Sequence, residues 1–148
     1  MKIPNRIKSI LLVSLQFVFI FLLLLGSPLA NISLLAYAFI ILSILLALWA
    51  IATMHKSKLR IRPEPSPDAT LITAGPYRFI RHPMYAAILL GSTGLLIHQF
   101  TWLRLSIALA LATVLLIKMI WEEKMLLQKF DDYDTYMKST KRLCPFIF

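Results

Sequence analysis

An all-α protein that crosses the membrane about four times is the fold class the sequence predicts, and three observations predict it. The chain is 59% hydrophobic with a mean hydropathy of +0.75, more apolar surface than 148 residues could hide in a soluble domain. Between Lys8 and Lys56 there is not one Asp, Glu, Lys or Arg. The charges that remain gather into blocks set apart by apolar runs of membrane-crossing length.

The first run covers 9–25 and the second 32–54, with "GSPLAN" as the turn between them. Each is near the roughly 20 residues a helix needs to cross the hydrocarbon core. A cleaved signal peptide is the rival for the first, because Lys2, Arg6 and Lys8 make a basic leader. The run exceeds the usual signal core of about 7–15 residues and no clear A-x-A site follows, so an uncleaved helix is expected. The segment 55–83 contains "RPEPSP", whose alternating prolines favour an extended, semi-rigid strap. A third span is expected over 84–101, short in its apolar part, with Gly91 and Gly94 permitting close helix approach. "HQFTW" turns the chain and a fourth span returns over 103–120, so that the third and fourth form a hairpin. From Trp121 the helix is expected to continue out of the membrane into a cytoplasmic C-terminal segment ending "RLCPFIF".

Charge sets the orientation. With the N-terminus inside, four crossings return the C-terminus to the same side. Fifteen of the 16 Lys and Arg, all but Arg104, then lie in cytoplasmic segments or at their membrane edges. That asymmetry is the positive-inside pattern, and it predicts that both termini are cytoplasmic. Anionic lipid headgroups account for the net charge of +9, so no nucleic acid partner is implied. The single Cys144 excludes an intrachain disulfide and a multi-cysteine metal site. His55 and His98 fall at opposite membrane faces in this topology, which removes a three-histidine site; no metal is expected.

Chemistry concentrates in two short stretches. On a helical wheel drawn through 121–140, Glu122 is read on the apolar stripe that carries Tyr133, Leu126, Met137 and Phe130, and Glu123 at its edge. A carboxylate on the packed face of a helix leaving the membrane must find a cation or donors. Glu122 is therefore expected either to bridge to Arg81 or Lys118 or to hold something cationic, and Glu123 to be a solvated acid. In the other stretch, "RFIRHPMY", Pro83 fits the first position of a helix and leaves His82 near its N-cap. Arg81, His82 and Tyr85 there offer donors and an aromatic face suited to an anionic ligand.

"LITAGPYRFIRHPMYAA", followed some forty residues later by "EEKML", resembles the isoprenylcysteine carboxyl methyltransferase and phospholipid methyltransferase family. The pattern is G-P-Y, R-H-P-x-Y, a hairpin and E-E-x-x-L. Tyr136, Arg142 and Pro145 match the spacing of the family's tail, so that the similar region is 71–145, roughly half the chain. The resemblance implies a cytoplasmic-side site for S-adenosylmethionine, with Tyr77, Arg81, His82, Pro83 and Tyr85 along one wall and Glu122 and Glu123 opposite. It implies catalytic roles for Glu122 and His82, and acceptor-binding roles for Lys118 and Arg142, with lysine at 118 where arginine often stands. In that reading Arg81 and His82 hold the cofactor's carboxylate, Glu122 its ammonium, and Tyr85 and Trp121 face its sulfonium.

The resemblance implies an S-adenosylmethionine-dependent methyltransferase acting on a lipid, a prenylated group or another hydrophobic acceptor in the membrane, with carboxyl O-methylation favoured. The rivals are a phospholipid amine N-methyltransferase, an NADPH-dependent lipid reductase with a similar R-H-P-x-Y segment, and a non-catalytic membrane adaptor.

Overall fold

The computed structural model of the chain describes residues 5–25, 32–54 and 70–144. The turn "GSPLAN", His55 with the proline-rich strap, and Pro145 with the last residues lie outside them. The described elements are α1 (Asn5–Leu24), α2 (Leu34–Met54), a 3-10 turn (Gly75–Arg78), α3 (Pro83–His98), α4 (Trp102–Lys129) and α5 (Tyr133–Ser139). Among the described residues there is no strand, only one isolated bridge between Ile80 and Lys141. Helices α1, α2 and α4 are each long and apolar enough to cross a membrane. At 16 residues α3 is about 24 Å long, short of the roughly 30 Å hydrocarbon core. The protein is an all-α membrane protein.

Local chemistry sets the helix ends. Pro83 opens α3 with His82 at its N-cap, where the His82 carbonyl accepts from the N–H groups of Tyr85 and Ala86. The helix stops at His98, three residues before the expected limit, because Gln99 turns extended. Thr101 caps α4, its hydroxyl accepting from the N–H of Arg104 at 3.1 Å. Helix α4 runs on unbroken past the acid pair to Lys129 and then breaks, since Phe130 is extended (φ −121°, ψ 117°). The expected continuous helix through 140 is thus two helices. The Asp131–Asp132 pair at the junction favours turns over helix interiors, and α5 restarts from Asp132.

The helices pair as α1 with α4 and α2 with α3. Polar contacts show that α1 and α4 run antiparallel. Arg104 Nη2 at the start of α4 donates to the carbonyl of Leu25 at 3.1 Å, and Lys8 Nζ at the start of α1 stands 4.9 Å from the Trp121 ring. A cation on the open carbonyls of a helix C-terminus is favourable, which gives Arg104 a structural task. The buried seam of α1 runs through Ser9, Leu12, Gln16 and Leu23, one helical stripe.

Helices α3 and α4 follow one another across a short turn and touch, as expected of a hairpin, but α3 packs chiefly on α2. Small residues decide it. A Cβ on Gly91 would stand 2.9 Å from Ser43 Oγ, and one on Gly94 would stand 2.9 Å from Ile40 Cγ1 and 3.1 Å from the Ala36 carbonyl oxygen. Ser43 Oγ also donates to the Ala87 carbonyl at 2.7 Å. Such a stripe lets two backbones approach as ordinary side chains would not. Filling it should be costly: Gly94→Leu is expected to lower stability by about 1–3 kcal/mol, read as a lower melting temperature of the detergent-purified protein.

At one end of this bundle the start of α1, the end of α2, the 3-10 turn, the start of α3 and the charged part of α4 converge. Gly75 makes the convergence possible. Its φ of +58° is left-handed, and a side chain there would strike the side chain of Thr53 at the end of α2.

Candidate functional site

Glu123 is the hub of the converged end. Its Oε1 accepts from Arg81 Nε at 2.9 Å, its Oε2 from Arg142 Nη2 at 2.9 Å and Nε at 3.1 Å, and His82 Nε2 lies 3.4 Å from Oε1. Arg81 Nη1 donates in turn to the carbonyls of Met137 (3.0 Å) and Thr140. The chain after α5 folds back along the R-H-P segment: Arg81 N–H donates to the Lys141 carbonyl at 2.7 Å, and His82 N–H to the Arg142 carbonyl at 3.0 Å. Those N–H groups are spent on the chain's own tail.

The wheel's ranking of the two acids is therefore reversed. Glu123, expected to be solvated, has a side chain 4% exposed, whereas that of Glu122 is 25% exposed. A wheel counts only neighbours on its own helix. The cations that make burial of Glu123 tolerable come from positions 81, 82 and 142, and buried charge follows paired charge. Neither expected bridge to Glu122 forms among the described residues: Arg81 goes to Glu123, and Lys118 Nζ donates to Gln16 Oε1.

Glu122 faces a cavity instead. Its Oε2 accepts from the Tyr85 hydroxyl at 2.8 Å and stands 3.8 Å from His82 Nδ1. The His82 and Tyr85 rings stack with centroids 5.4 Å apart and planes 8° from parallel. The Lys118 ammonium lies 5.0 Å from the centre of the Tyr85 ring. Trp121, expected beside a sulfonium, is turned toward Lys8 of α1 instead and lines neither cavity described below.

Two clefts meet at this point. The first, a cavity of about 80 Å³, lies among the apolar spans and is lined by Gln16, Tyr77, Arg81, His82, Pro83, Tyr85, Lys118 and Glu122, with Met54, Met84 and Ile88. The second, about 40 Å³, lies on the α5 side and is lined by Thr70, Leu71, Ile72, Leu126, Phe130, Tyr133 and Tyr136. Tyr77, Arg81 and Glu122 line both. The Tyr136 hydroxyl donates to the Tyr77 carbonyl at 2.6 Å and fixes the floor between them. Burial, with the charge of Glu122 and the neighbouring Tyr136 adding to it, pushes the Tyr77 phenol well above its ordinary pKa. Burial likewise pushes Tyr136 up to about 12 against the opposing pull of Arg81. Both remain neutral donors at physiological pH.

A comparison with protein families decides what kind of molecule this is: the phospholipid methyltransferase family matches residues 31–133, more than half of the chain. The chain belongs to the phospholipid methyltransferase family. It is a membrane methyltransferase, and the methyl donor of methyltransferases is in general S-adenosylmethionine. No curated protein matches the chain.

Of the sequence-predicted residues of this phospholipid methyltransferase family member, the structure brings Tyr77, Arg81, His82, Pro83, Tyr85, Lys118 and Glu122 to one cavity wall or another. Glu123 and Arg142 stand behind it, bonded to each other. The donor set fits the amino-acid and sulfonium chemistry of the methyl donor: an open carboxylate, stacked rings and neutral phenols. Sequence reasoning missed Gln16, which lies in α1 outside the matched stretch and is buried in the cavity wall. The signal that could have found it is an amide inside a hydrocarbon span, in the same stripe as Ser9 and Leu12.

Proposed function

We propose that the protein transfers the methyl group of S-adenosylmethionine to a polar atom of an acceptor held in the bilayer. The observation that carries this reading is the meeting of the two clefts at Tyr77, Arg81 and Glu122. The α5-side cleft, walled by Phe130, Tyr133 and Tyr136, suits a water-soluble donor with a flat ring system; the cleft among the spans suits a hydrophobic acceptor. When bound, the donor supplies an electrophilic methyl on a sulfonium. Glu122, at the junction, holds the donor's ammonium, and the Tyr85 face lies beside the positive sulfur. Arg81 has its Nε and Nη1 committed to the protein, so it orients the wall while Glu123 and Arg142 hold it in place. Enclosure at the bilayer boundary positions both partners and keeps water away.

Two acceptors fit. A carboxylate, as on a prenylated cysteine, is ionised near neutral pH and needs no base. A phospholipid amine, as compatible with the family as the carboxylate, must lose a proton, and the Glu122–His82 pair is the group that would take it. Purified protein in vesicles supplied with methyl-labelled S-adenosylmethionine should label the lipid extract. Alkali should release the label as methanol from a carboxyl ester and leave it in place on an amine. No label in either fraction would refute the reading.

Both termini are proposed to be cytoplasmic, as the placement of the basic residues implies. Tags at both ends should be reached only from the cytoplasmic side, and a reporter in "GSPLAN" only from the other. Tags on opposite sides would contradict four crossings.

A further inference from the structure

We propose that Gln16 and Lys118 form an oxyanion-binding subsite in the cleft among the spans, for a carboxylate or phosphate on the lipid acceptor. The proposal deepens the methyltransferase reading and rests on its assignment of this cleft to the acceptor. Lys118 is 1% exposed and Gln16 5%, and both line the cleft. An ammonium inside a membrane-spanning helix is costly unless a partner carries the opposite charge. Among the described residues Lys118 has no carboxylate within ion-pair distance. Its partners are the neutral amide oxygen of Gln16 and the face of the Tyr85 ring. Glu122 lies one helical turn on, but its Oε2 is taken by the Tyr85 hydroxyl and it leans toward His82.

An ammonium has three donors and Gln16 accepts from one. Gln16 accepts through its oxygen, which leaves its own amide N–H groups as further donors in the cleft wall. The result is a positive, donor-rich spot walled by Ile88 and Met84, close to Glu122 yet apart from it. An acceptor anchored here by its oxyanion would keep its reactive end near the junction of the clefts. A plain interhelix tie between α1 and α4 would need no charge, and two amides would serve.

Detergent-purified parent, Lys118→Gln and Lys118→Arg are to be titrated with oleate, phosphatidic acid and uncharged monooleoylglycerol, counting bound lipid by native mass spectrometry. The parent should hold at least one anionic lipid about ten- to a hundredfold more tightly than monooleoylglycerol. Lys118→Gln should lose that preference and Lys118→Arg keep most of it. Loss for oleate identifies a carboxylate, and loss for phosphatidic acid a phosphate. Calorimetry with S-adenosylmethionine on the same variants separates the other source: loss confined to that ligand would give the subsite to the donor's own carboxylate and overturn its assignment to the acceptor. Glutamine at 118 can still bond Gln16, so a purely structural tie leaves every affinity unchanged in Lys118→Gln, and that result would overturn the proposal. An intact lipid preference in a parent that transfers no methyl group would count against the methyltransferase reading alone.

Discussion

Glu123→Ala is expected to destabilise the protein more than any other single change at the acid pair, by about 3–5 kcal/mol. The side chain removed is nearly buried and answers Arg81, His82 and Arg142 at once. Arg81, itself 8% exposed, would keep its bonds to the Met137 and Thr140 carbonyls but lose its counter-charge. Arg142 would lose the partner that ties the returning tail to α4. The damage should therefore spread to the contact between 79–82 and 140–142, visible as faster hydrogen exchange at the N–H groups of Arg81 and His82. Arg142→Ala should cost less, because its side chain is 34% exposed and solvent covers part of the loss. A melting temperature unchanged in Glu123→Ala would show that the cluster is not what closes this end of the bundle.

The parts of this arrangement that were legible beforehand are those written in local sequence. The apolar runs mark α1, α2 and the body of α4, and Pro83 marks the start of α3. Gly91 and Gly94 announce a close helix contact but not its partner, since the Ser43 and Ala36 that meet them lie in a span with no charges to orient it. The same limit explains the reversed acids. Glu123 is buried by cations about forty residues before it and nineteen after it, and no periodicity within α4 encodes them. The break at Phe130 further reset the phase on which Tyr133 and Met137 had been placed. Gln16 was readable only as an anomaly, a polar side chain in a hydrocarbon run whose purpose appears when Lys118 is brought against it.

Glu122→Gln is expected to do the opposite of Glu123→Ala: to weaken the methyl donor's binding while leaving the fold intact. Glu122 is partly open to the cleft, and glutamine can still accept from the Tyr85 hydroxyl, so the local shape is kept. What is lost is the negative charge at the junction of the clefts. A charge-assisted hydrogen bond contributes about 1.5–3 kcal/mol, so affinity should fall roughly ten- to a hundredfold. His82→Ala should also weaken binding, because the ring stacks on Tyr85 and stands behind Glu122. Calorimetric titration of S-adenosylmethionine into detergent-purified parent and Glu122→Gln, with the melting temperature of each measured alongside, tests the central claim most directly. The account expects a tenfold or greater loss of affinity at a nearly unchanged melting temperature; equal affinities, with or without a lower melting temperature, would contradict it.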